Sequence, residues 1–389
     1  MPAGGTACLS SREPGRLLPS RSIAGGGDCL QTPACMEGDH VESHTQSDPP
    51  KAIPARRRGT RCRRVAAGPA GRRIGSGESV DDRSCDGPKA PATIARRRGL
   101  STVTRTVGNL EVVALLDAFG PFFVTREVAF PDATPRDWNR AERLDPGAFG
   151  PDGTWNLDFH CFAIRHPDGR IALVDTGIGP VGSPASSWAP VPGRLPDALA
   201  AAGVDPEDVD VVVLTHLHED HYGWSVDLSG VPMFPNARYV VQQEEILTLT
   251  AGDPALSYVV EPLRRAGQLD EVDGRVRLLG RGTKVGGSAS RCREAITAVP
   301  TPCHTPGHQS VLVESGRRQI IVTGDVLVHA VQLVDPDVSY IFESDQDVAR
   351  DTRRALLRRA EDRRALLATA HLTRPFVPGG MRSIACSND

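Results

Sequence analysis

The chain has 389 residues and a formal net charge of −3, enough length for one large or two medium domains and no overall basis for a nucleic-acid binder. Those totals conceal two unlike parts: residues 1–100 hold 17 Lys and Arg against 10 Asp and Glu and no Phe, Trp or Tyr, so residues 101–389 carry a net −10 and every aromatic ring. The nine cysteines are scattered with no C-x-x-C pair, which excludes a disulfide framework or a zinc ribbon and points to a reducing cytoplasm.

A segment without aromatic residues and rich in Gly, Pro, Ser and Arg cannot bury enough apolar surface to offset its ordering entropy. Residues 1–105 are therefore expected to be a disordered basic tail, with clusters at Arg56–Arg58, Arg61–Arg64 and Arg96–Arg98. No aromatic interleaves with the arginines to stack bases, so a solvated tail, or translated sequence ahead of the native start, is preferred to a nucleic-acid or membrane-surface arm. No apolar stretch of signal-peptide length follows Met1, and none later reaches the length of a membrane span. Residues 106–386 are expected to form one domain, for which a homodimer remains open.

Along that domain, Leu110–Leu116 reads as a strand closed by Gly120-Pro121. Phe123–Trp155 reads as an irregular insert, either a pocket lid or a loop anchored by its own apolar residues. Phe159–Ile164 and Ile171–Val174 read as strands joined by the turn His166-Pro167-Asp168-Gly169, the second ending in Asp175. Such an aspartate is a common turn residue or a carboxylate that holds a ligand histidine in place. A helix over Leu195–Ala202 stops at Gly203. After a strand at Arg238–Gln242, a helix begins near Glu244 and another covers Leu256–Leu269 with a kink at Pro262. Strands follow at Val276–Leu279 and Ala295–Val299 around a Gly/Ser loop at Gly286–Ser288. The rest comprises a strand at Gln319–Thr323, a helix at Val348–Ala360 and a strand-like run at Leu366–Ala370.

Alternating strands and helices whose strand ends repeatedly carry His or Asp imply an α/β domain with its site at the strand C-termini. The densest case is Val211-Val212-Val213-Leu214-Thr215-His216-Leu217-His218-Glu219-Asp220-His221. Its apolar run suits a strand buried on both faces. Alternate side chains of an extended segment point the same way, so His216 and His218 can converge on one ion, while Asp220 and His221 lie where the chain can turn towards another. Imidazole with carboxylate suits zinc, with iron or manganese as alternatives. Downstream, Thr301–His308 places His304 and His308 in a turn stiffened by Pro302 and Pro306, Asp325 follows a strand, and His371 ends the last run.

This series resembles the metallo-β-lactamase-fold hydrolase superfamily over nearly all of the chain outside the tail. The family's H-x-H-x-D-H motif corresponds to His216, His218, Asp220 and His221, its upstream aspartate to Asp175, its histidine turn to Thr301–His308, its bridging aspartate to Asp325 and its last histidine to His371. The resemblance implies a four-layer αββα sandwich with two divalent ions between the sheets. One ion would take His216, His218 and His304, the other Asp220, His221 and His371, and Asp325 would bridge both. Two such ions lower the pKa of a bridging water, and the resulting hydroxide attacks a carbonyl or phosphoryl centre of a small molecule. Asp220 is then the group that passes a proton to the leaving group. His308 would support the site rather than ligate. Cys303 stands where the family usually has Gly.

Gly324–Leu333, Asp335-Pro336 and Glu343-Ser344-Asp345 resemble the branch of methyl-parathion-type organophosphate hydrolases and related lactonases. Acyl-homoserine lactonases often carry a Tyr soon after the bridging aspartate, where this chain has Val326, Leu327 and Val328. A thioesterase with a C-terminal helical region is disfavoured by the eighteen residues left after His371. An iron-dependent oxidoreductase or dioxygenase on the same fold is the alternative of a different class. His329 and Phe342 are the candidate substrate-facing residues; a packed or solvated His329 is the competing reading.

Overall fold

The computed structural model describes residues 102–280 and 294–380. The part of the expected tail up to Ser101, the Gly286–Ser288 loop and the domain end expected at 386 lie outside these residues; the last residues of the expected 1–105 tail are instead ordered, since β1 begins at Val103 and pairs with β2. Thirteen strands are described: β1 Val103–Val107, β2 Leu110–Pro121, β3 Asn156–Arg165, β4 Ile171–Val174, β5 Val209–Val213, β6 Arg238–Gln242, β7 Leu269–Val272, β8 Val276–Leu279, β9 Glu294–Pro300, β10 Gln309–Ser315, β11 Arg318–Val322, β12 Leu366–Ala368 and β13 Phe376–Pro378. The α-helices among the described residues are α1 Arg126–Ala129, α2 Pro135–Leu144, α3 Leu195–Ala202, α4 Glu219–Tyr222, α5 Gln243–Leu247, α6 Glu261–Ala266, α7 Val331–Val334 and α8 Gln346–Arg363.

The strands form two sheets. The first runs β1 to β7 in chain order, antiparallel as far as β4 and parallel from β4 to β7; the second has the order β13-β12-β11-β10-β9-β8. Alternation along the strands decides the layers. Val112, Ala114, Phe162, Val174, Val211 and Val213 of the first sheet share one core with Ile296, Ala298, Val311, Val313, Ile320 and Val322 of the second. The opposite face of the first sheet, with Val113, Leu173 and Val212, packs on Leu195 and Leu199 of α3 and Leu263 of α6. Leu312, Ile321 and Leu367 of the second sheet pack on Ala349, Leu356 and Ala360 of α8. The result is the helix–sheet–sheet–helix sandwich expected from the resemblance.

Several helix ends follow from their caps. Gly203 ends α3 in the left-handed conformation at φ 67°. The Asp345 side chain accepts the N–H groups of Asp347 and Val348 at 3.0 and 3.1 Å and so starts α8.

Further elements differ from the sequence expectations. The insert is not irregular throughout: Thr134 and Asp137 form a reciprocal capping box that opens the ten-residue α2, with Pro135 in its first turn. The helix expected over Leu256–Leu269 is a π-turn at Leu256–Val260 followed by α6, and Leu269 already belongs to β7. Pro262 has no N–H to continue the ladder, and Gly267 at φ 70° closes it. Strand β10 was hidden behind the histidine turn, whose Pro and Gly spacing dominates the local pattern.

Candidate metal centre

Each candidate ligand leaves the sandwich at the same rim. His216, His218 and the α4 pair Asp220 and His221 follow β5. His304 lies in the turn between β9 and β10, Asp325 follows β11 and His371 follows β12. Their ligand atoms form three overlapping groups in which all members lie within 4.8 Å of one another: His216/His218/His304, His216/His221/Asp325 and Asp220/His221/His371.

The two oxygens of Asp325 divide these groups. Its Oδ2 faces His216 Nε2 at 3.9 Å and His304 Nε2 at 3.6 Å. Its Oδ1 faces His221 Nε2 at 3.4 Å and His371 Nε2 at 3.1 Å. Asp220 Oδ2 lies 3.5 Å from both His221 Nε2 and His371 Nε2, and His216 Nε2 lies 3.0 Å from His218 Nδ1. His221 Nε2 and Asp325 Oδ1 are buried without a hydrogen-bond partner. Unpaired buried polar atoms are costly, and a divalent cation between them removes that cost. The donor set therefore fits metal ions on this chain's own geometry.

The far sides of the His221 and His371 rings are fixed from the fold. Asp175 Oδ2 holds His221 Nδ1 at 2.9 Å, and the Asp175 carboxylate also accepts Thr215 N–H and O–H at 2.8 and 2.9 Å. Asp175 adopts φ 59°, which an aspartate tolerates better than most side chains. His371 Nδ1 donates to Asp158 O at 3.0 Å. His308 does not face an ion: its Nδ1 donates to Thr301 O at 3.1 Å, and its Nε2 accepts Asp325 N–H at 2.9 Å. It thereby fixes the backbone that carries Asp325. A Cβ at Gly324 would lie 2.5 Å from that ring nitrogen, so glycine is required beside it. Burial holds the His308 pKa down at about 4, which keeps the ring neutral for this double role.

Electrostatics distinguish the two trios. Burial pushes His216 and His304 well below the usual histidine range, and neighbouring histidines add to the push. Burial would also lower His221 and His371, but Asp220 and Asp325, with Asp175 on His221, outweigh it and raise both. Burial opposes the Asp325 charge as well; His371 and His221 win and hold its pKa well below the usual carboxylate range. His216 and His304 are thus suited to ligate as neutral nitrogens, whereas His221 and His371 are paired with acid.

The family model described as the metallo-beta-lactamase superfamily matches residues 160–371, more than half of the chain, and spans all seven of these residues. The chain belongs to the metallo-beta-lactamase superfamily. Among curated superfamily relatives, the N-acyl homoserine lactonase AttM of Azorhizobium caulinodans is 31% identical over 183 residues, covering 42% of this chain and 62% of that protein. AttM of Rhizobium radiobacter is 27% identical over 242 residues, covering 57% and 84%. Among solved structures, AidC, a dizinc quorum-quenching lactonase in complex with a product, matches with TM-score 0.54 and 20% identity over 70% of this chain and 91% of that one. At that identity the likeness speaks for the fold.

Above the superfamily ligand rim lies a cavity of about 410 Å³. Its floor is His218, Asp220, His304, Asp325 and His371. Its walls are Phe122, Phe123, Trp155, Leu157, Trp188, Val328, Tyr340 and Phe342, with Glu219 beside the floor. Phe342 thus reaches the cavity, in edge contact with Phe122 and Phe123. His329 does not line it. The ring is buried among Phe130, Trp138, Phe149 and Trp155, with centroids 5.3–5.5 Å away, and its Nδ1 accepts Val331 N–H at 3.0 Å. Burial, with Arg126 nearby, holds its pKa down at about 3. The packed reading of His329 replaces the substrate-facing one, because α7 begins two residues later and turns the ring towards α2. The insert contributes Phe123 and Trp155 to the cavity and anchors itself through Trp138, so both readings of it hold in part.

Sequence reasoning missed several supports. Tyr340 enters the cavity fifteen residues after Asp325 and stacks on His304 at 5.5 Å, although no tyrosine directly follows that aspartate. Asp117, buried at a bulge in β2, accepts Ile178 N–H and Leu195 N–H at 2.7 Å each and Trp224 Nε1–H at 3.1 Å, pinning the loop that carries Trp188. Burial raises its pKa to about 6 against those donors. Arg353 of α8 is buried, pairs with Glu343 and donates to Val326 O, Pro336 O and Val338 O at 3.0, 2.9 and 3.1 Å. Glu343 in turn accepts Tyr340 N–H at 3.1 Å. An aspartate inside an apolar strand was the available signal for Asp117; nothing local marks Arg353 among the arginines of α8.

Proposed function

We propose that the chain is a two-metal hydrolase, with zinc as the resident ion, that cleaves the ester bond of a small lactone or a related carbonyl or phosphoryl substrate. The observation that carries this reading is the division of Asp325, one oxygen towards His216 and His304 and the other towards His221 and His371, at the floor of a cavity walled mainly by aromatic rings. The ligand identities of His216, His218, Asp220, His221, His304, Asp325 and His371 belong to the same proposal. The names of the AttM relatives and of AidC support a lactone-like substrate and a dizinc centre.

Bound there, two divalent ions would supply an activated water and polarise the substrate's carbonyl or phosphoryl oxygen. The chain's own residues do the rest. Phe122, Trp188 and Phe342 exclude water from the apolar part of a substrate and orient its polar end towards the floor. Tyr340 remains a neutral phenol, since burial and then Asp325 and Asp220 push its pKa well above the usual value, and it can donate to a substrate oxygen. Asp220, at the edge of the floor and partly open to the cavity, moves the proton to the departing oxygen. Among the described residues no helix is long and apolar enough to cross a membrane.

The test is a panel of lactones, thioesters, aryl esters and phosphotriesters, assayed on protein of measured metal content. Turnover of at least one class that tracks bound divalent metal is expected. Dioxygen consumption with iron, and no hydrolysis, would move the chain to an oxidoreductase.

A further inference from the structure

The three histidines His216, His218 and His304 lie on two separate loops: His216 and His218 follow β5, and His304 lies in the turn between β9 and β10. One carboxylate joins those loops. Glu245, 2% exposed in α5, accepts Leu217 N–H on Oε1 at 2.9 Å and Gly307 N–H on Oε2 at 3.1 Å. Leu217 stands between His216 and His218, and Gly307 follows His304 by three residues. The contact between the turn and α5 is direct. A Cβ at Gly307 would lie 2.0 Å from Glu245 N and 2.4 Å from its Cα, so the turn rests on the helix backbone and admits only glycine there. The other trio has different supports, Asp175 on His221 and Asp158 O on His371. Glu245 is absent from the cavity wall. Burial raises its pKa, while the Leu217 donor, Thr305 and the nearby His218 act against that rise.

We infer that Glu245 is a positioning residue that locks the two loops together, so that His216, His218 and His304 form a preset tripod for one ion and leave the second ion's support untouched. The inference rests on the two-ion reading. Residues that orient metal ligands from behind are each worth about tenfold to a hundredfold in metal affinity. Their usual place is a hydrogen bond to a ligand ring; here the bond is to the backbone of both loops.

The experiment strips wild type and Glu245→Gln of metal and measures the affinity of each of two Zn(II) or Co(II) equivalents by competition with a chelator, with Co(II) absorption reporting the coordination of each. Gln keeps the size of Glu but presents an NH₂ group to one of the two N–H donors. One equivalent is expected to weaken about tenfold to a hundredfold, with the other within twofold and the metal-free melting transition still cooperative. Equal weakening of both ions in Glu245→Gln, or no change in either, overturns the inference. If Glu245→Gln fails to fold, Glu245→Asp, which keeps the charge and shortens the bridge, takes its place in the same titration: selective loss of one ion supports the lock, and equal loss or no loss overturns it. A wild-type chain that binds fewer than two ions overturns the two-ion reading, and this inference with it.

Discussion

The floor and the walls of the cavity are built in opposite ways. The floor comes from short segments at strand ends, each backed by a specific bond: Asp175 behind His221, His308 behind the Asp325 backbone, Asp158 O behind His371. The walls come from Phe122, Trp155, Trp188 and Phe342, which are far apart in sequence and meet mainly through ring contacts of 4.9–6.2 Å. Hydrogen bonds demand particular residue types at particular spacings, whereas ring packing accepts many combinations. On the proposed function the floor would set the chemistry and the walls would select the substrate, so the two should respond differently to change.

The largest contrast is expected at the floor. Asp220→Ala should lower turnover about 10³-fold while the melting temperature stays close to wild type, as stopped assays and a thermal melt will show. Wild-type turnover in that variant would falsify the role given to Asp220. Next comes the scaffold of the walls. Arg353→Ala leaves Glu343 buried without its partner and should cost about 3–5 kcal/mol of stability by denaturant titration; a loss below ~1 kcal/mol would mean that Glu343 finds another donor.

His329 provides a pH test away from the floor. Its folded pKa of about 3 lies below the ordinary 6.5, so its contribution is complete above pH 6.5 and is lost as acid favours the unfolded chain, which binds the proton first. Between pH 6.5 and about pH 5 the wild type should lose about 2 kcal/mol relative to His329→Gln. Parallel stability curves for the two proteins would contradict the buried neutral ring. The smallest effect is at the mouth, where Phe342 is 40% exposed. Phe342→Ala should raise KM for a substrate with an apolar tail about fivefold, near ~1 kcal/mol, with kcat little changed. A fall in kcat without a change in KM would place Phe342 with the chemistry instead.

The same division explains what the sequence revealed. β4, β6 and β8 matched their expected residues, and α3 ended at its glycine, because apolar runs and left-handed caps are local signals. The seven candidate ligands stood out because histidines and aspartates at the ends of buried strands have no packing reason to be there. Strand β10 and helix α2 escaped because one follows a Pro/Gly-rich turn without a break and the other starts inside a Pro- and Asp-rich stretch whose capping box, Thr134 to Asp137, resembles loop composition. Glu245 and Arg353 act through partners 28 to 62 and 10 to 27 residues away, and Tyr340 meets His304 across 36 residues; no local pattern encodes such pairings. His329 was misplaced for the same reason: its neighbours are the rings of the insert.

The central claim is that the divided Asp325 floor works only with two ions. The direct measurement is hydrolytic turnover of the best substrate in the panel as metal-free protein is titrated with Zn(II), with bound metal counted at each point. The account predicts negligible turnover without metal and full turnover only as the second equivalent binds. Full turnover in the metal-free chain, or at one equivalent with no further gain, would contradict it.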